Sequence, residues 1–353
     1  MNANHPLRVA VVGAGAFGRN HLRVYRELEQ AVEPVRLAAV VDRDSAAAKT
    51  AAQRFGVGAF ESIEACLEAT EIDVASICVP TVGHADAAAP LLRAGVDLLI
   101  EKPLAASLED ADRILTLATE NGRIVQTGHL ERFNPAVTAA RKHLNQPMFF
   151  EVHRLSVFTP RSLDIDVVLD LMIHDLDIVL SLVDSHVKEV RAVGLPVLSA
   201  KVDIANVRIE FANGCVANFT ASRISTERVR KLRFFQPHQY LSIDFARQDL
   251  LMIDVTEAAA QLARSSPVQV AAMAEMLDAT QQPGGGGHPS PGLSLRKVPV
   301  GPGEPLRLEI ASFLDAVRRR RQPLVTGDDG RRALALALEI NQEMAEHTYR
   351  AGL

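Results

Sequence analysis

Short apolar runs and amphipathic stretches alternate through the first third of the chain. Residues 7–12, 35–41, 73–79 and 96–100 are runs rich in Val, Ile, Leu and Ala. Runs of that length without polar alternation predict strands buried on both faces, as a parallel sheet requires. The stretches between them predict helices with local stop signals. Residues 45–55 stop at Gly56 and residues 85–94 at Gly95, where glycine can take the left-handed conformation that ends a helix. Residues 107–120 open on Ser107, a capping residue, and stop at Asn121-Gly122. Strands alternating with helices give βαβ units, hence an α/β Rossmann-type doubly wound parallel sheet.

Near His129 the rhythm changes. A helical piece at 135–144 is followed by strand-like segments at 149–158, 187–198, 204–211, 216–222 and 231–255. Asn213-Gly214 between two of these is a hairpin signal. A helix at 167–183 is embedded among the strands. This pattern predicts an α+β domain with an open, mostly antiparallel sheet. Residues 283–292 include four consecutive glycines, and a loop is expected over about 281–303. Helices at 305–320 and 328–347 close the chain. The expected division is 1–128, a dinucleotide-binding domain, and 129–353, a substrate and oligomerisation domain.

The chain has 353 residues, enough for two cores, and its net charge of -5 supplies no basic field for nucleic acid. Cys66, Cys78 and Cys215 are widely spaced without metal-ligand spacing, a usage that fits a reducing compartment. The polar start shows no signal-peptide layout, and no apolar run approaches the roughly 20 residues of a membrane span. A soluble, cytoplasmic protein without membrane insertion is the expectation.

Gly13-Ala14-Gly15-Ala16-Phe17-Gly18 follows the first strand and opens a helix. In such a turn the glycines allow a tight bend, close approach of a pyrophosphate, and close packing of helix on strand. The helix N-terminus offers unpaired N–H groups to the phosphates. Asp42, ending the second strand, is placed to accept hydrogen bonds from ribose hydroxyls and to repel a 2′-phosphate, which favours NAD. Two alternatives stand beside this. Asp42 can cap the following turn, and Arg43 leaves room for NADP or for stacking on adenine.

Two further groups carry chemistry. Glu101-Lys102-Pro103 lies at the C-terminal end of the strand at 96–100, the edge where open α/β sheets bind ligands. Asp170, His174 and Asp177 share one face of the embedded helix at i, i+4 and i+7. A histidine beside carboxylates is suited to take a hydroxyl proton as hydride leaves the same carbon. The plainer readings are a surface lysine and a satisfied core histidine. Zinc binding by the histidine and its carboxylates is the competing chemistry.

Together, Gly13–Gly18 with Asp42, Glu101-Lys102-Pro103, the segment Gly128 to Pro135, and Asp170-x-x-x-His174 resemble the Gfo/Idh/MocA oxidoreductases, in order along nearly the whole chain. The resemblance implies an NAD-dependent enzyme acting on a CH–OH group. Lys102 would position the reacting hydroxyl, Asp170 would support His174 as acid/base, and Pro80, Thr81 and His84 would flank the nicotinamide. It also implies a homodimer or homotetramer formed through the open sheet. His129 departs from the family pattern, in which many members have an apolar residue there. A narrower likeness, over 166–177 and 203–223, is to the UDP-N-acetylglucosamine 3-dehydrogenases of lipid A diamino-sugar synthesis. Arg154, Arg161, Arg223, Arg228, Arg230, Lys231 and Arg233 could serve a diphosphate, though strand-edge arginines are more often solvated or paired. Arg132, Asn134, Arg161 and Arg223 are the candidate substrate contacts. No metal is expected. A redox-neutral NAD-dependent glycosidase, a dehydrogenase of a free sugar or polyol, and a non-catalytic NAD sensor are the rival readings.

Overall fold

The computed structural model describes residues 5–158, 166–255 and 293–352. The chain divides into two compact units, Met1–Phe133 with Gly303–Leu338, and Asn134–Pro302 with Glu339–Leu353.

The first unit is built on a six-stranded parallel sheet: β1 (Leu7–Val12), β2 (Val35–Val41), β3 (Gly58–Phe60), β4 (Val74–Ile77), β5 (Asp97–Glu101) and β6 (Val125–Gly128), in the order β3-β2-β1-β4-β5-β6. Every residue of β4 and β5 is buried, as the unbroken apolar runs require. The helices are α1 (Ala16–Gln30), α2 (Ser45–Phe55), α3 (Ile63–Ala69), α4 (His84–Arg93) and α5 (Leu108–Glu120). Their ends follow local chemistry. Asp44 caps α2 by accepting from the N–H groups of Ala46 and Ala47, Gly56 ends it with φ +65°, and Ser107 caps α5 by accepting from Asp110. Strand order reverses direction between β1 and β4, and a crevice opens at the C-terminal strand ends of such a switch point.

The expected boundary is corrected on two counts: residues 129–133 fall in the first unit, and so does the segment 303–338. Helix α8 (Pro305–Arg319) belongs to the first unit, not to a domain running from 129 to the end. Its apolar stripe, Ile310, Phe313, Leu314 and Val317, joins the core formed by Leu22, Tyr25, Leu28 and Val9. Burial of such side chains contributes roughly 1.5–3 kcal/mol each, so the stripe holds the helix to that core. Just beyond it, Thr127 donates its N–H to the Val325 carbonyl at 3.3 Å, and Gln126 bridges to Thr326 at the edge of β6. The last helix, α9 (Gly327–Ala351), has its residues up to Leu338 in this unit and the remainder in the other.

Among the described residues, the second unit contains α6 (Pro135–Arg141), α7 (Ile173–Leu182) and eight strands: β7 (Phe149–Leu155), β8 (Val187–Leu195), β9 (Ile204–Phe211), β10 (Val216–Ser222), β11 (Val229–Gln236), β12 (Gln239–Asp244), β13 (Asp249–Val255) and β14 (Leu293–Val298). Their order is β14-β13-β12-β11-β7-β10-β9-β8. All neighbours are antiparallel except β7 and β10. The hairpin signal at Asn213-Gly214 joins β9 to β10, with Gly214 at φ +85° and the Asn213 side chain accepting from Cys215. Two expectations are revised. The single segment at 231–255 is three strands, turning at His238 and Gln248, both at positive φ. The loop expected over 281–303 contains β14, while the run 283–292 lies outside the described residues. Among the described residues, no helix is long and apolar enough to cross a membrane.

Candidate active site

At the C-terminal ends of β1, β2 and β4 lies a cleft of about 590 Å³, of the size that small-molecule sites occupy. The glycine-rich turn forms its floor, and the three glycines do different things. Gly13 has φ +100°, and a Cβ there would lie 2.6 Å from the Cys78 carbonyl oxygen. A Cβ on Gly18 would lie 1.7 Å from the Gly13 carbonyl, so this position sets how closely α1 can approach the turn. A Cβ on Gly15 would meet nothing within 4 Å, which leaves open space over the first turn of α1. No side chain among the described residues caps α1. Its first N–H groups and the space above Gly15 therefore fit a pyrophosphate.

Asp42 links the end of β2 to this turn. Its Oδ2 accepts from the Ala14 N–H at 2.6 Å and its Oδ1 from the Asp44 N–H at 2.9 Å. The capping alternative thus holds for one oxygen, while Asp42 still lines the cleft. Asp44, Glu61, Glu64 and Asp86 line it too, and among the described residues Arg43 is the one cation in its wall. A ribose with free hydroxyls suits that wall, and a 2′-phosphate does not.

Pro80 lies in the cleft wall, but Thr81 and His84 do not. His84 is 1 % exposed and braces backbone from beneath: Nε2 is 3.0 Å from the Val79 carbonyl and Nδ1 3.0 Å from that of Pro103. Burial pushes its pKa down, outweighing those carbonyls. Glu101, ending β5, is also beneath the surface and accepts from His21 Nε2 at 2.8 Å. Burial works against its charge, but the His21 hydrogen bond and the charges of His21 and Lys102 prevail, holding its pKa below the usual range. Lys102 follows, half-buried. Ala16 and Phe17 stand in the first turn of α1, with Phe17 exposed.

In the second unit, the segment Val168–Met172 is a single π-helical turn, with the Ile173 N–H reaching the Val168 carbonyl five residues back. Asp170 sits in this turn and His174 at the start of α7, and both are half-buried. Asp177, by contrast, is buried. A π-turn changes the winding just ahead of His174, and such turns recur at functional sites. Asp175 is buried as well, and forms a bidentate pair with Arg154.

Residues 7–129 match the oxidoreductase family with an NAD-binding Rossmann fold, and residues 136–236 match the GFO/IDH/MocA C-terminal domain. The chain belongs to the Gfo/Idh/MocA oxidoreductase family. A UDP-N-acetylglucosamine 3-dehydrogenase of Acidithiobacillus ferrooxidans is 34% identical over 336 residues, covering 95% of this chain and 96% of the relative. A solved structure of that organism's UDP-N-acetylglucosamine 3-dehydrogenase superposes with a TM-score of 0.81 at 33% identity, covering 96% of this chain and 97% of the other. The scyllo-inositol 2-dehydrogenase (NAD(+)) of Bacillus subtilis is 29% identical, covering 63% of this chain and 68% of its own.

As a Gfo/Idh/MocA oxidoreductase the chain has NAD as its cofactor, and the cleft over Gly15 and beside Asp42 fits it. The expected substrate contacts fare differently. Arg132 is buried and pairs with Asp329 at 3.4 Å. Asn134 caps α6 through its Oδ1 and donates its Nδ2 to the Phe245 carbonyl at 3.1 Å. Arg223 is buried against Asp203 and the Val202 carbonyl. These three side chains are thus committed to internal structure, and Arg161 lies outside the described residues. Of the basic residues named for a diphosphate, Arg154 is also paired, with Asp175, and Arg233 with Glu151. His129, 1 % exposed, is in the core of the first unit.

Sequence reasoning missed the roles of His21 and Asp175. A signal existed for the Asp175 pair. Arg154 falls in phase with Phe150 and Val152 on the buried face of β7, where a cation requires a partner.

Proposed function

We propose that this oxidoreductase oxidises a secondary sugar hydroxyl, the 3-OH of UDP-N-acetylglucosamine, to the 3-keto sugar nucleotide. The observation that carries this reading is the likeness to the Acidithiobacillus enzyme over 95% of the chain, through both units. When bound in the cleft, NAD supplies the acceptor for the hydride that leaves the carbon. His174 takes the hydroxyl proton, and Asp170 supports the imidazolium that forms. Lys102 donates to the oxygen as it passes from alcohol to ketone, stabilising the negative charge that develops there. One C–H and one O–H bond break, the carbonyl π bond forms, and the balance is one hydride and one proton.

The experiment is to mix the protein with NAD and UDP-N-acetylglucosamine and follow NADH absorbance, with mass spectrometry of the sugar nucleotide. NADH formed together with a product lacking two hydrogen atoms is the expected result. Sugar release without NADH would indicate the redox-neutral glycosidase. NADH from free polyols alone would indicate a polyol dehydrogenase, and NAD binding without turnover of any sugar a sensor.

The reading extends to cytoplasmic lipid A diamino-sugar synthesis and to self-association through the eight-stranded sheet. Along that sheet a row of in-register residues, Leu295, Ile253, Tyr240, Phe235, Phe149 and Val216, crosses six strands. Phe235 is 41% exposed, and its ring lies 5.7 Å from Phe149 and 4.9 Å from Tyr240. A contiguous apolar row of this kind suits a self-complementary contact with a second copy.

A further inference from the structure

We propose that His21 is a positioning residue for Lys102, acting through Glu101, so that the helix carrying the glycine-rich turn also fixes the lysine's backbone and charge. The inference rests on the reading that Lys102 donates to the reacting oxygen. Five observations on the first unit support it.

His21 lies on α1, three residues after Gly18, and is fully buried. Its Nε2 is 2.8 Å from Glu101 Oε1. Glu101 Oε2 accepts the backbone N–H of Lys102 at 3.3 Å. One carboxylate thereby joins α1 to the residue after β5. Gly128 on the neighbouring strand leaves Glu101 its place, since a Cβ there would lie 3.1 Å from the Glu101 Cα and 3.3 Å from its Cδ. Behind His21, Tyr25 is fully buried and hydrogen-bonded to Ser76 at 2.8 Å, so the ring is backed by a fixed wall.

Two consequences follow from this geometry. The Lys102 backbone is held by a side chain that is itself held, which limits the positions the ammonium can reach. Glu101 also places a negative charge beside Lys102, favouring its ammonium form, the form able to donate. A carboxyl so buried keeps that charge only with donors, and His21 supplies the side-chain donor, on Oε1, beside the Lys102 N–H on Oε2. Without His21, Glu101 is driven towards the neutral form, and the lysine loses both its tether and its counter-charge.

The test uses the full-length protein and three variants. The first readout needs neither cofactor nor substrate: limited trinitrophenylation of the NAD-free protein, with Lys102 labelling measured by peptide mass spectrometry. His21→Leu should speed Lys102 labelling about threefold or more, because a weaker counter-charge leaves more free amine. His21→Gln, which can present a donor near the position of Nε2, should return labelling to about the parent rate. Glu101→Gln removes the charge while keeping shape, and should label like His21→Leu. The second readout is kinetic. His21→Leu should lower kcat about tenfold, with NAD Kd and substrate KM within about threefold of the parent. His21→Gln should recover most of kcat.

Parent-like labelling of Lys102 in both His21→Leu and Glu101→Gln overturns the proposal. So does a His21→Leu enzyme whose kcat is unchanged, or a His21→Gln enzyme as impaired as His21→Leu. If His21→Leu does not fold, Glu101→Gln decides alone. Failure of the underlying functional reading shows separately, as a Lys102→Met enzyme that keeps the parent kcat whatever the labelling result.

Discussion

Arg154 and Asp175 meet inside the second unit as a bidentate pair, Nε to Oδ2 at 2.7 Å and Nη2 to Oδ1 at 2.8 Å, with side chains only 4% and 2% exposed. The guanidinium also lies over the Phe245 ring, 5.4 Å from its centroid. The pair joins β7 to the first turn of α7, next to His174. Breaking a buried pair from one side leaves an uncompensated charge and costs about 3–5 kcal/mol. Asp175→Ala should therefore lower unfolding stability by that order in urea melts. Arg154→Met with Asp175→Leu should lose less than the two single changes summed, because no buried charge is left behind.

The assigned chemistry predicts a separation of binding from turnover. His174→Ala and Lys102→Met should each reduce kcat by about 10²–10⁴-fold, the range for removal of a general acid–base or charge-stabilising group. NAD affinity by calorimetry should stay within a few-fold of the parent. A variant that turned over normally would remove its residue from the mechanism.

Asp42 is both a wall of the cleft and a tie to the Ala14 N–H. Asp42→Ala should raise the NAD Kd about tenfold or more, since a charge-assisted bond to a ribose hydroxyl contributes roughly 1.5–3 kcal/mol. The same change removes a repulsive charge from any 2′-phosphate, so the ratio of NADP to NAD affinity should rise. Competition binding with both dinucleotides measures it.

Asp203 gives a prediction in pH. Burial opposes its charge, but it accepts the N–H groups of Ser199, Leu198 and Val197 and the Ser199 hydroxyl, and its pKa falls well below the usual range. A group whose pKa is lowered by folding contributes stability above its unfolded value, about 3.9. That contribution disappears as pH falls through the folded value. Asp203→Asn should therefore destabilise the protein clearly at pH 7, and the difference from the parent should shrink in melts below about pH 4.

The apolar row on the eight-stranded sheet predicts an effect on assembly. Phe235→Glu places a charge within it, between Phe149 and Tyr240. Light scattering should show a shift towards monomer with little change in thermal stability. A parent that is monomeric at all concentrations would end the proposal.

Much of this was legible in the sequence because it is local. The glycine turn, the acid ending β2, the caps at Ser107 and Gly56, and the hairpin at Asn213-Gly214 each depend on a few adjacent residues. Elements with weak local signals were not read. β3 is three residues long, β6 ends in polar residues, and the turns at His238 and Gln248 lack the glycine or asparagine that marks positive φ. Helix α8 was legible as a helix, but an amphipathic stripe does not say which core will receive it.

The candidate site divides in the same way. By itself the sequence determined the glycine-rich turn, the acidic residue that ends β2, and the candidate lysine, aspartate and histidine at 102, 170 and 174. These are properties of residue type and near-neighbour spacing. Only the tertiary structure decided that Arg132, Asn134, Arg154 and Arg223 are engaged internally, with Asp329, the Phe245 carbonyl, Asp175 and Asp203 among their partners. It decided as well that Glu101 answers to His21, 80 positions away. A charge's partner depends on which distant segments the fold brings within about 3 Å, and burial then makes that partner obligatory.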